Sequence, residues 1–478
     1  MISEYLKLSW WLLIALFHIL GFIAGLDAIM RGRTEQGSIA WAISLLFFPY
    51  IALPLYLIFG SRKFYGYIDA RRTGELEINH IAQELSKKIE RFKTTLENYQ
   101  TEYKVVEHLA KMPFTSNNNA ELLIDGEATF QSIFKEIEAA KDYILIQFYT
   151  VHDDVLGRKL KEKLIRKVKQ GVRVYFLYDE IGCHLLPKSY IEELRDKGIK
   201  TSNFKTTKGW NNRLRLNFRN HRKIVVVDGH KAYIGGMNVN KKYLGIHPKY
   251  GYWRDTHVLV EGPSVQCIQL SFIADWYWVN HSVPELNWIP EASKSGNKNI
   301  LILPTGPADE LETCGIFFVH AINFARHRLW IISSYFVPDQ QIISALQLAA
   351  LRGVDVRIII PQKSDLLITY LSSFSYLKEI TQTGAKVYRY NKGLLHEKAI
   401  LIDDEISILG TANLDNRSFR INFEINMIIS DRDFAREVEN MMKEDFSHSF
   451  QVGYEDYEKR PFWFKLAVRI SRLFAPLQ

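Results

Sequence analysis

Two stretches, HRKIVVVDG at residues 221–229 and HEKAILIDD at residues 396–404, carry one pattern: a His, a Lys two residues later, and an Asp five residues after the Lys. Each stretch continues into a glycine-containing segment that ends in an asparagine, Asn238 or Asn413. The copies share a constant offset, since 396 − 221, 403 − 228 and 413 − 238 all equal 175. Two copies in register indicate a duplicated unit that contributes one half of a site from each repeat.

The local sequence predicts which members of each copy face the same way. The runs KIVVV and KAILI are β-branched and apolar, which is typical of buried strands. Side chains alternate faces along a strand, so the His and the Lys share a face while the Asp does not. We therefore predict that the chemical groups are His221, Lys223, His396 and Lys398. Asp228 and Asp403 lie in turn-type sequence, where we expect hairpins and a role in orienting the backbone.

Two His–Lys pairs are suited to chemistry at a phosphodiester. Neutral imidazole is a nucleophile near neutral pH and also exchanges protons, and a lysine ammonium binds phosphate oxygens. Two pairs that face one phosphodiester supply a nucleophile, a general acid and positive charge. This chemistry needs neither a cofactor nor a metal, and we predict none. The alternative, two basic strand ends without chemistry, fits one copy better than two copies in register.

Four further residues are candidates for support of the site or for substrate binding. Asp255 and Glu424 each open an apolar strand after one of the motifs. A carboxylate there could accept a hydrogen bond from a catalytic histidine and fix its tautomer, or it could be satisfied by the backbone or by Arg254. Asn238 and Asn413 could donate to phosphate oxygens or could close the turn that follows the glycines.

The doubled pattern resembles the His-x-Lys-x4-Asp signature of the phospholipase D superfamily. More narrowly, the chain resembles the bacterial cardiolipin synthases over essentially its whole length. The stretches that carry the resemblance are NFRNHRKIVVVDG, YIGGMN, LRGVDVRIIIP, YFVPD, HEKAILID and ILGTANLDNRSF. The resemblance implies an α/β fold of two pseudo-symmetric lobes, each a central sheet flanked by helices, with the active site where the lobes meet.

The resemblance also implies an activity. A histidine attacks one phosphatidylglycerol, glycerol leaves, and a second phosphatidylglycerol displaces the phosphatidyl-histidine to give cardiolipin. By family tendency the nucleophile is His221 and the acid/base is His396, although the near-symmetric sequence does not order them. The alternative is a hydrolase, either a phospholipase D or a nuclease, in which water resolves the same intermediate. A non-catalytic scaffold disagrees with two intact motifs.

Length, composition and charge limit the possible functions of the chain. The chain has 478 residues, 47% of them hydrophobic and 24% charged, so it is long enough for two or three folded domains. The cysteines at positions 183, 267 and 314 are far apart, which argues against a disulfide framework and a thiolate zinc site. A formal charge of +8 favours an anionic partner. The membrane segments below favour anionic lipid over nucleic acid, and the sequence leaves the oligomeric state open.

Two apolar stretches near the N-terminus predict a membrane anchor. Residues 8–26 (LSWWLLIALFHILGFIAGL) and 38–60 (SIAWAISLLFFPYIALPLYLIFG) are each long enough to span a bilayer. A signal peptide is the alternative for the first stretch, but no small-residue cleavage site is evident. Basic residues after the second stretch favour a cytoplasmic catalytic region in the bacterial cell membrane, while two arginines in the connecting loop weaken that bias: Arg62, Lys63, Arg71 and Arg72 against Arg31 and Arg33.

The remaining patterns predict the domain organisation. Apolar residues from Ile78 to Val106 recur at helical spacing and predict an amphipathic connector helix, and PFTSNNN at 113–119 is typical of a loop. The C-terminal RPFWFKLAVRISRLFAPLQ predicts an amphipathic helix that lies in the membrane surface or docks on the domain. Residues 208–220 mix basic and apolar side chains, as a lipid-headgroup contact or a solvated loop would. The predicted divisions are 1–60 (two transmembrane helices), 61–112 (connector), 113–292 and 293–459 (lobes, with a hinge at 293–299) and 460–478 (surface helix).

Overall fold

The structure, a computed structural model, describes residues 2–31, 35–60, 75–94, 100–205, 217–248 and 251–478. The chain divides into two compact units. One comprises Met1–Ala70 with Lys205–Phe218, and the other comprises Arg71–Phe204 with Arg219–Gln478. The predicted headgroup-contact segment and the basic residues after the second apolar stretch lie largely or wholly outside the described residues.

The N-terminal unit contains the helices α1 (Ile2–Arg31), α2 (Glu35–Phe47) and α3 (Pro49–Phe59). Among the described residues, one helical segment, Ser9–Met30, is long and apolar enough to cross a membrane. The second predicted span is instead two shorter helices that are interrupted at Phe48. Pro49 follows as the first residue of α3, where its lack of an N–H and its fixed φ suit a helix start and not a helix interior.

The larger unit is built on one 16-stranded sheet. Its strands and those of two small two-stranded sheets are β1 (Thr115–Ile124), β2 (Tyr143–Phe148), β3 (Arg173–Asp179), β4 (Lys200–Phe204), β5 (Arg219–Asn220), β6 (Ile224–Val227), β7 (Lys231–Gly235), β8 (Trp253–Arg254), β9 (Thr256–Glu261), β10 (Lys298–Thr305), β11 (Arg328–Ser333), β12 (Phe336–Val337), β13 (Asp355–Pro361), β14 (Lys386–Tyr390), β15 (Leu394–Leu395), β16 (Lys398–Ile402), β17 (Ile406–Gly410), β18 (Leu414–Asp415), β19 (Asn422–Ser430) and β20 (Ser449–Val452). Strands such as β2, β3, β11 and β13 alternate with helices in both repeats, which confirms the α/β fold that the resemblance implies.

Read outward from the middle of the sheet, the strand order is equivalent on both sides. One side runs β1-β9-β7-β6-β2-β3-β4, and the other runs β10-β19-β17-β16-β11-β13-β14 with β20 at its edge. The strands β1 and β10 pair antiparallel and join the two halves. The segment predicted as a loop at 113–119 therefore lies largely within β1, because its backbone pairs with β9 and β10 on either side. The predicted hairpins after the motifs are present, as β6–β7 and β16–β17.

Helices cover the sheet, and every residue of β2 and β16 is buried. The helices of this unit are α4 (Glu75–Ile89), α5 (Gln100–Ala110), α6 (Asp125–Ala139), α7 (Val155–Lys169), α8 (Lys188–Asp196), α9 (Ser264–Asn280), α10 (Thr313–Phe324), α11 (Gln340–Leu351), α12 (Leu367–Phe374), α13 (Leu377–Thr381), α14 (Asn416–Arg420), α15 (Arg432–Ser447), α16 (Tyr454–Glu458) and α17 (Phe462–Leu473). The prediction of one connector helix is wrong, since α4 and α5 are separate. Between them Phe92 is buried and Lys93 forms a β-bridge with Thr115 at the start of β1.

Candidate active site

Each motif histidine is anchored by backbone contacts with the opposite repeat. The short strand β5, which precedes His221, pairs with the start of β19, and the short strand β15, which precedes His396, pairs with β8. The backbone N–H of His221 donates to the carbonyl oxygen of Phe423 (2.9 Å), and that of His396 donates to the carbonyl oxygen of Arg254 (2.7 Å). The two motifs therefore reach their positions only when both halves are folded together.

The carboxylates that orient the histidines also cross between the halves. Glu424, from the second half, lies 2.9 Å from Nδ1 of His221 in the first. Asp255, from the first half, lies 2.7 Å from Nδ1 of His396 in the second. A carboxylate on Nδ1 fixes the imidazole tautomer and leaves Nε2 for the substrate. The expected histidine–carboxylate contacts are present, and each repeat supplies the carboxylate for the other repeat's histidine.

The environment of Glu424 holds it in its ionised form. Its carboxylate is fully buried and accepts hydrogen bonds from the Thr411 hydroxyl (2.6 Å), the Ser418 hydroxyl (3.0 Å) and the Asn422 amide (3.0 Å). Burial alone would raise its pKa, but the interaction with His221, the charge of Lys223 and the hydrogen bond from Thr411 outweigh burial and lower the pKa. A negative charge thus remains beside Nδ1 of His221.

Asp255 behaves differently, although it occupies the corresponding position. Burial raises the pKa of Asp255 to about 7, with Lys398, the backbone N–H of Thr256 and Lys223 acting against burial. Fewer hydrogen bonds stabilise this carboxylate, since the Thr256 N–H (2.8 Å) and His396 are its closest donors. The Asp255–His396 pair is therefore able to gain or lose a proton near neutral pH, which suits general acid/base work.

Burial disfavours the protonated form of both histidines. Burial lowers the pKa of His221 to about 4, with Glu424 opposing the change and Lys223 adding to it. Burial and the charge of Lys398 lower the pKa of His396 well below its usual value. A neutral imidazole keeps the Nε2 lone pair that a nucleophile needs.

The motif lysines are buried beside their histidines. Lys223 Nζ donates to the carbonyl oxygen of His221 (2.6 Å), and burial lowers the pKa of Lys223 to about 7. Lys398 Nζ donates to the Ser334 hydroxyl (2.8 Å) and the His396 carbonyl, and burial lowers its pKa as well. An anionic phosphodiester would stabilise the charged form of both lysines, so these groups are suited to binding a phosphate.

The motif aspartates face away from this chemistry, as strand alternation predicts. Asp228 accepts three backbone N–H groups at the start of β2, and Asp403 accepts three at the start of β11; the donors are Lys141, Asp142 and Tyr143, and Arg326, His327 and Arg328. Both aspartates have positive φ, 53° and 52°, as their turns require. Their observed contacts tie the hairpin end to the neighbouring strand.

The side chains of the two asparagines bond to residues that follow β2 and β11. The Asn238 side chain accepts from the Thr150 N–H (3.0 Å) and donates to the Tyr243 hydroxyl (2.9 Å). The Asn413 side-chain oxygen accepts from the Ser334 hydroxyl (3.0 Å), the same hydroxyl that receives the Lys398 hydrogen bond. Contact of either asparagine with phosphate stays a prediction.

The sequence reasoning missed the aromatic walls around the histidines. The Tyr149 ring lies 5.1 Å from that of His221, whereas His396 is surrounded by Trp253 (5.5 Å), Tyr243 (5.8 Å) and Tyr335 (6.3 Å), between ring centroids. Tyr149 directly follows β2 and Tyr335 lies two residues after β11, and these corresponding positions were a detectable signal. The other two residues belong to the first repeat, so only the tertiary structure places them at the second histidine.

Comparisons with known proteins agree with this geometry. The family model described as "Cardiolipin synthase, PLD-like domain" matches residues 133–276 and 318–446, and the one described as "Phospholipase_D-nuclease N-terminal" matches 26–61. The chain is 47% identical to cardiolipin synthase A of Pseudomonas entomophila and 46% identical to that of Pseudomonas putida. The alignments cover 97% of this chain and 98% and 97% of those relatives.

The fold has a solved counterpart. A crystal structure of phosphatidylserine synthase from Haemophilus influenzae aligns with a TM-score of 0.59 at 16% identity, covering 79% of this chain and 100% of that one. At this identity the likeness concerns the fold alone. Together with the duplicated motifs and the near-full-length relatives, these matches confirm the resemblance drawn from the sequence. The chain belongs to the cardiolipin synthase family of phospholipase D-like proteins.

Proposed function

We propose that this protein is a cardiolipin synthase that transfers a phosphatidyl group from one phosphatidylglycerol to another and releases glycerol. The observation that carries the proposal is the convergence of two buried His–Lys pairs, each histidine held by a carboxylate from the opposite repeat. The family membership supports this substrate over others that a phosphodiester site accepts. The lobes assigned to 113–292 and 293–459 each contribute one pair.

In the first step, Nε2 of His221 attacks the phosphorus of the donor. The phosphorus–oxygen bond to glycerol breaks, and the Asp255–His396 pair delivers a proton to the departing oxygen. In the second step, the terminal hydroxyl of another phosphatidylglycerol gives its proton to that pair, its oxygen bonds to phosphorus, and the bond between phosphorus and His221 breaks. Positive charge from Lys223 and Lys398 stabilises the phosphorane oxygens in both steps.

The difference between the two carboxylates supports this order. An ionised Glu424 keeps the Nδ1 proton on His221 and stabilises the positive charge that forms there during attack. The Asp255–His396 pair holds a proton more readily, since burial raises the pKa of Asp255 to about 7. When an anionic lipid binds beside the lysines, its charge also offsets the repulsion that lowers the pKa of His396.

The test is the product distribution of the purified protein. With labelled phosphatidylglycerol, we expect cardiolipin and free glycerol in equal amounts. Treatment with a chelator leaves the rate unchanged, because the lysines and histidines supply the charge and the proton transfers. Phosphatidic acid as the main product would instead show that water resolves the intermediate. Loss of activity with a chelator and recovery with added metal would contradict the metal-free mechanism.

The substrate requires a membrane partner, and we assign two elements to it. The N-terminal unit crosses the bacterial cell membrane, with α1 as one span and the kinked pair α2–α3 as the return span. The catalytic unit then lies on the cytoplasmic side, as the basic residues after the second apolar stretch favour. The second element is α17, which we place in the interface with an anionic bilayer.

The placement of α17 follows from its two faces. Val468 and Ser471 are buried against the protein, where α17 packs on α12. The outward side exposes large apolar side chains: Phe462, Trp463, Leu466, Ile470, Leu473 and Phe474. Lys465 and Arg469 lie among them, so the face combines apolar anchors with positive charge. Leu366 and Leu367, at the start of α12, are also exposed and directly follow Asp365, which the Tyr335 hydroxyl binds (2.7 Å) beside His396.

This surface predicts a bilayer-specific defect. We expect the double variant Phe462→Ser/Trp463→Ser to raise KM for phosphatidylglycerol in vesicles by roughly fivefold to tenfold, because less apolar area enters the interface. KM for a short-chain, monomeric phosphatidylglycerol stays unchanged. Phe450→Ser is the matched control, since Phe450 is 44% exposed on β20, outside this surface. An equal rise in KM for both substrates would show that α17 supports the fold and not the interface.

A further inference from the structure

Lys242 is a third lysine beside the second histidine, and it belongs to neither motif. It lies in the short 3-10 turn Lys241–Leu244. Its Nζ is 4.3 Å from the centroid of the Trp253 ring and 5.3 Å from that of the Tyr243 ring. The same two rings contact His396. The positive charge of Lys242 also contributes to lowering the pKa of His396.

The ammonium of Lys242 has few partners of its own. Burial lowers its pKa, while the more distant carboxylates of Asp365 and Asp255 act in the opposite direction. Within the part of the chain that the structure describes, Nζ of Lys242 makes no hydrogen bond or ion pair. Lys223 and Lys398, by contrast, donate to their own motif backbone. A half-buried cation in this position is suited to an anionic ligand.

The corresponding residue of the second repeat already makes hydrogen bonds within the protein. Arg417 is related to Lys242 by the offset of the motifs, since 417 − 242 equals 175. The Arg417 guanidinium donates to the carbonyl oxygen of Leu477 (3.3 Å), and its backbone N–H donates to that of Gln478 (2.6 Å). Of these two residues, Lys242 is the one without such bonds, and it lies next to the histidine to which the proposed function assigns proton transfer.

The chemistry of the acceptor explains a cation at this place. The hydroxyl of the incoming phosphatidylglycerol must reach His396, and the acceptor's own phosphodiester is attached to the same glycerol, three carbons away. We propose that Lys242 binds this second phosphodiester and so selects a phospholipid acceptor over water and small alcohols. The inference rests on the proposed function. The transfer itself is unchanged: the acceptor oxygen bonds to phosphorus, its proton passes to the Asp255–His396 pair, and the bond to His221 breaks.

The test compares two acceptors of the same phosphatidyl group. Cardiolipin formation uses phosphatidylglycerol as acceptor, whereas exchange of labelled glycerol into phosphatidylglycerol uses an acceptor without a phosphate. We expect Lys242→Met to lower kcat/KM for cardiolipin formation by roughly 10- to 100-fold, the usual effect of losing a charged hydrogen bond. Exchange falls far less. The methionine keeps an apolar stem over Trp253 and removes only the charge.

Two further variants complete the experiment. Lys242→Arg restores most of the cardiolipin activity, and Lys241→Met, an exposed neighbour in the same turn, changes neither reaction. Equal losses of cardiolipin formation and exchange in Lys242→Met would overturn the proposal, because Lys242 would then act on the transferred phosphate. Unchanged cardiolipin formation would also overturn it. A wild-type protein that exchanges glycerol but makes no cardiolipin would overturn the proposed function itself, independently of the variants.

Discussion

His396→Ala is expected to trap a covalent phosphatidyl-enzyme that His221→Ala never forms. With phosphatidylglycerol as donor, both variants lose turnover by roughly four to six orders of magnitude, as in other enzymes that lose a nucleophile or its acid/base partner. A donor with p-nitrophenol as its leaving group separates the two roles, because this group departs without a proton. The first step then proceeds without His396, whereas no step proceeds without the nucleophile.

The measurement is a burst of p-nitrophenolate followed by mass spectrometry of the protein. His396→Ala should release one equivalent per site and carry the phosphatidyl group on His221, since the acceptor hydroxyl can no longer lose its proton to His396. His221→Ala should show no burst. His230→Ala is the matched control: this histidine is exposed at the hairpin after the first motif and should retain wild-type turnover. A burst in His221→Ala, with label on His396, would reverse the assigned roles.

Asp403→Ala is expected to lower the free energy of unfolding by about 3 kcal/mol or more. Three backbone N–H groups, those of Arg326, His327 and Arg328, lose their acceptor, and each unsatisfied N–H typically costs about 1–3 kcal/mol when buried. The turn conformation adds to the loss, because φ at this position is 52° and alanine adopts such angles less readily than aspartate. The molecules that remain folded should keep most of their turnover.

Thermal unfolding in detergent, with turnover measured per folded molecule, checks this expectation. Asp404→Ala is the control, because the adjacent side chain is 88% exposed and pairs only at the surface with Arg328. It should change neither quantity appreciably, as is usual for exposed ion pairs. A stable Asp403→Ala protein without activity would show that the aspartate takes part in the chemistry. The free energy of unfolding of Asp403→Asn should lie between those of Asp403→Ala and Asp404→Ala, since the amide oxygen of asparagine still accepts hydrogen bonds from the backbone.

The local sequence predicted the elements that depend on local properties. The apolar runs KIVVV and KAILI form the buried strands β6 and β16, because β-branched side chains pack well on a buried, pleated surface. Turn residues after each motif predicted the hairpins. The errors occurred where partners distant in the chain decide the structure. PFTSNNN is polar enough for a loop, yet pairing with β9 and β10 makes most of it a strand.

The site shows the same division. Alternation along a strand was enough to place His and Lys together and to separate the aspartates from them. Strand-opening position was enough to single out Asp255 and Glu424. The sequence did not indicate that each carboxylate would serve the other repeat's histidine, because that contact joins residues 141 and 203 positions apart. The aromatic wall around His396 was missed for the same reason, since Tyr243 and Trp253 come from the first repeat.

By itself, the sequence determined that this protein carries a duplicated phosphodiester site on α/β repeats, with an apolar segment long enough for a membrane. Those features depend on residue type, spacing and periodicity, which a sequence contains directly. Only the tertiary structure decided that the halves are unequal. The two histidines share the His-x-Lys pattern in the chain but have different neighbours in space. Hydrogen bonding and nearby charge lower the pKa of Glu424, whereas burial raises the pKa of Asp255 to about 7, and the proposed roles of the two histidines rest on this difference.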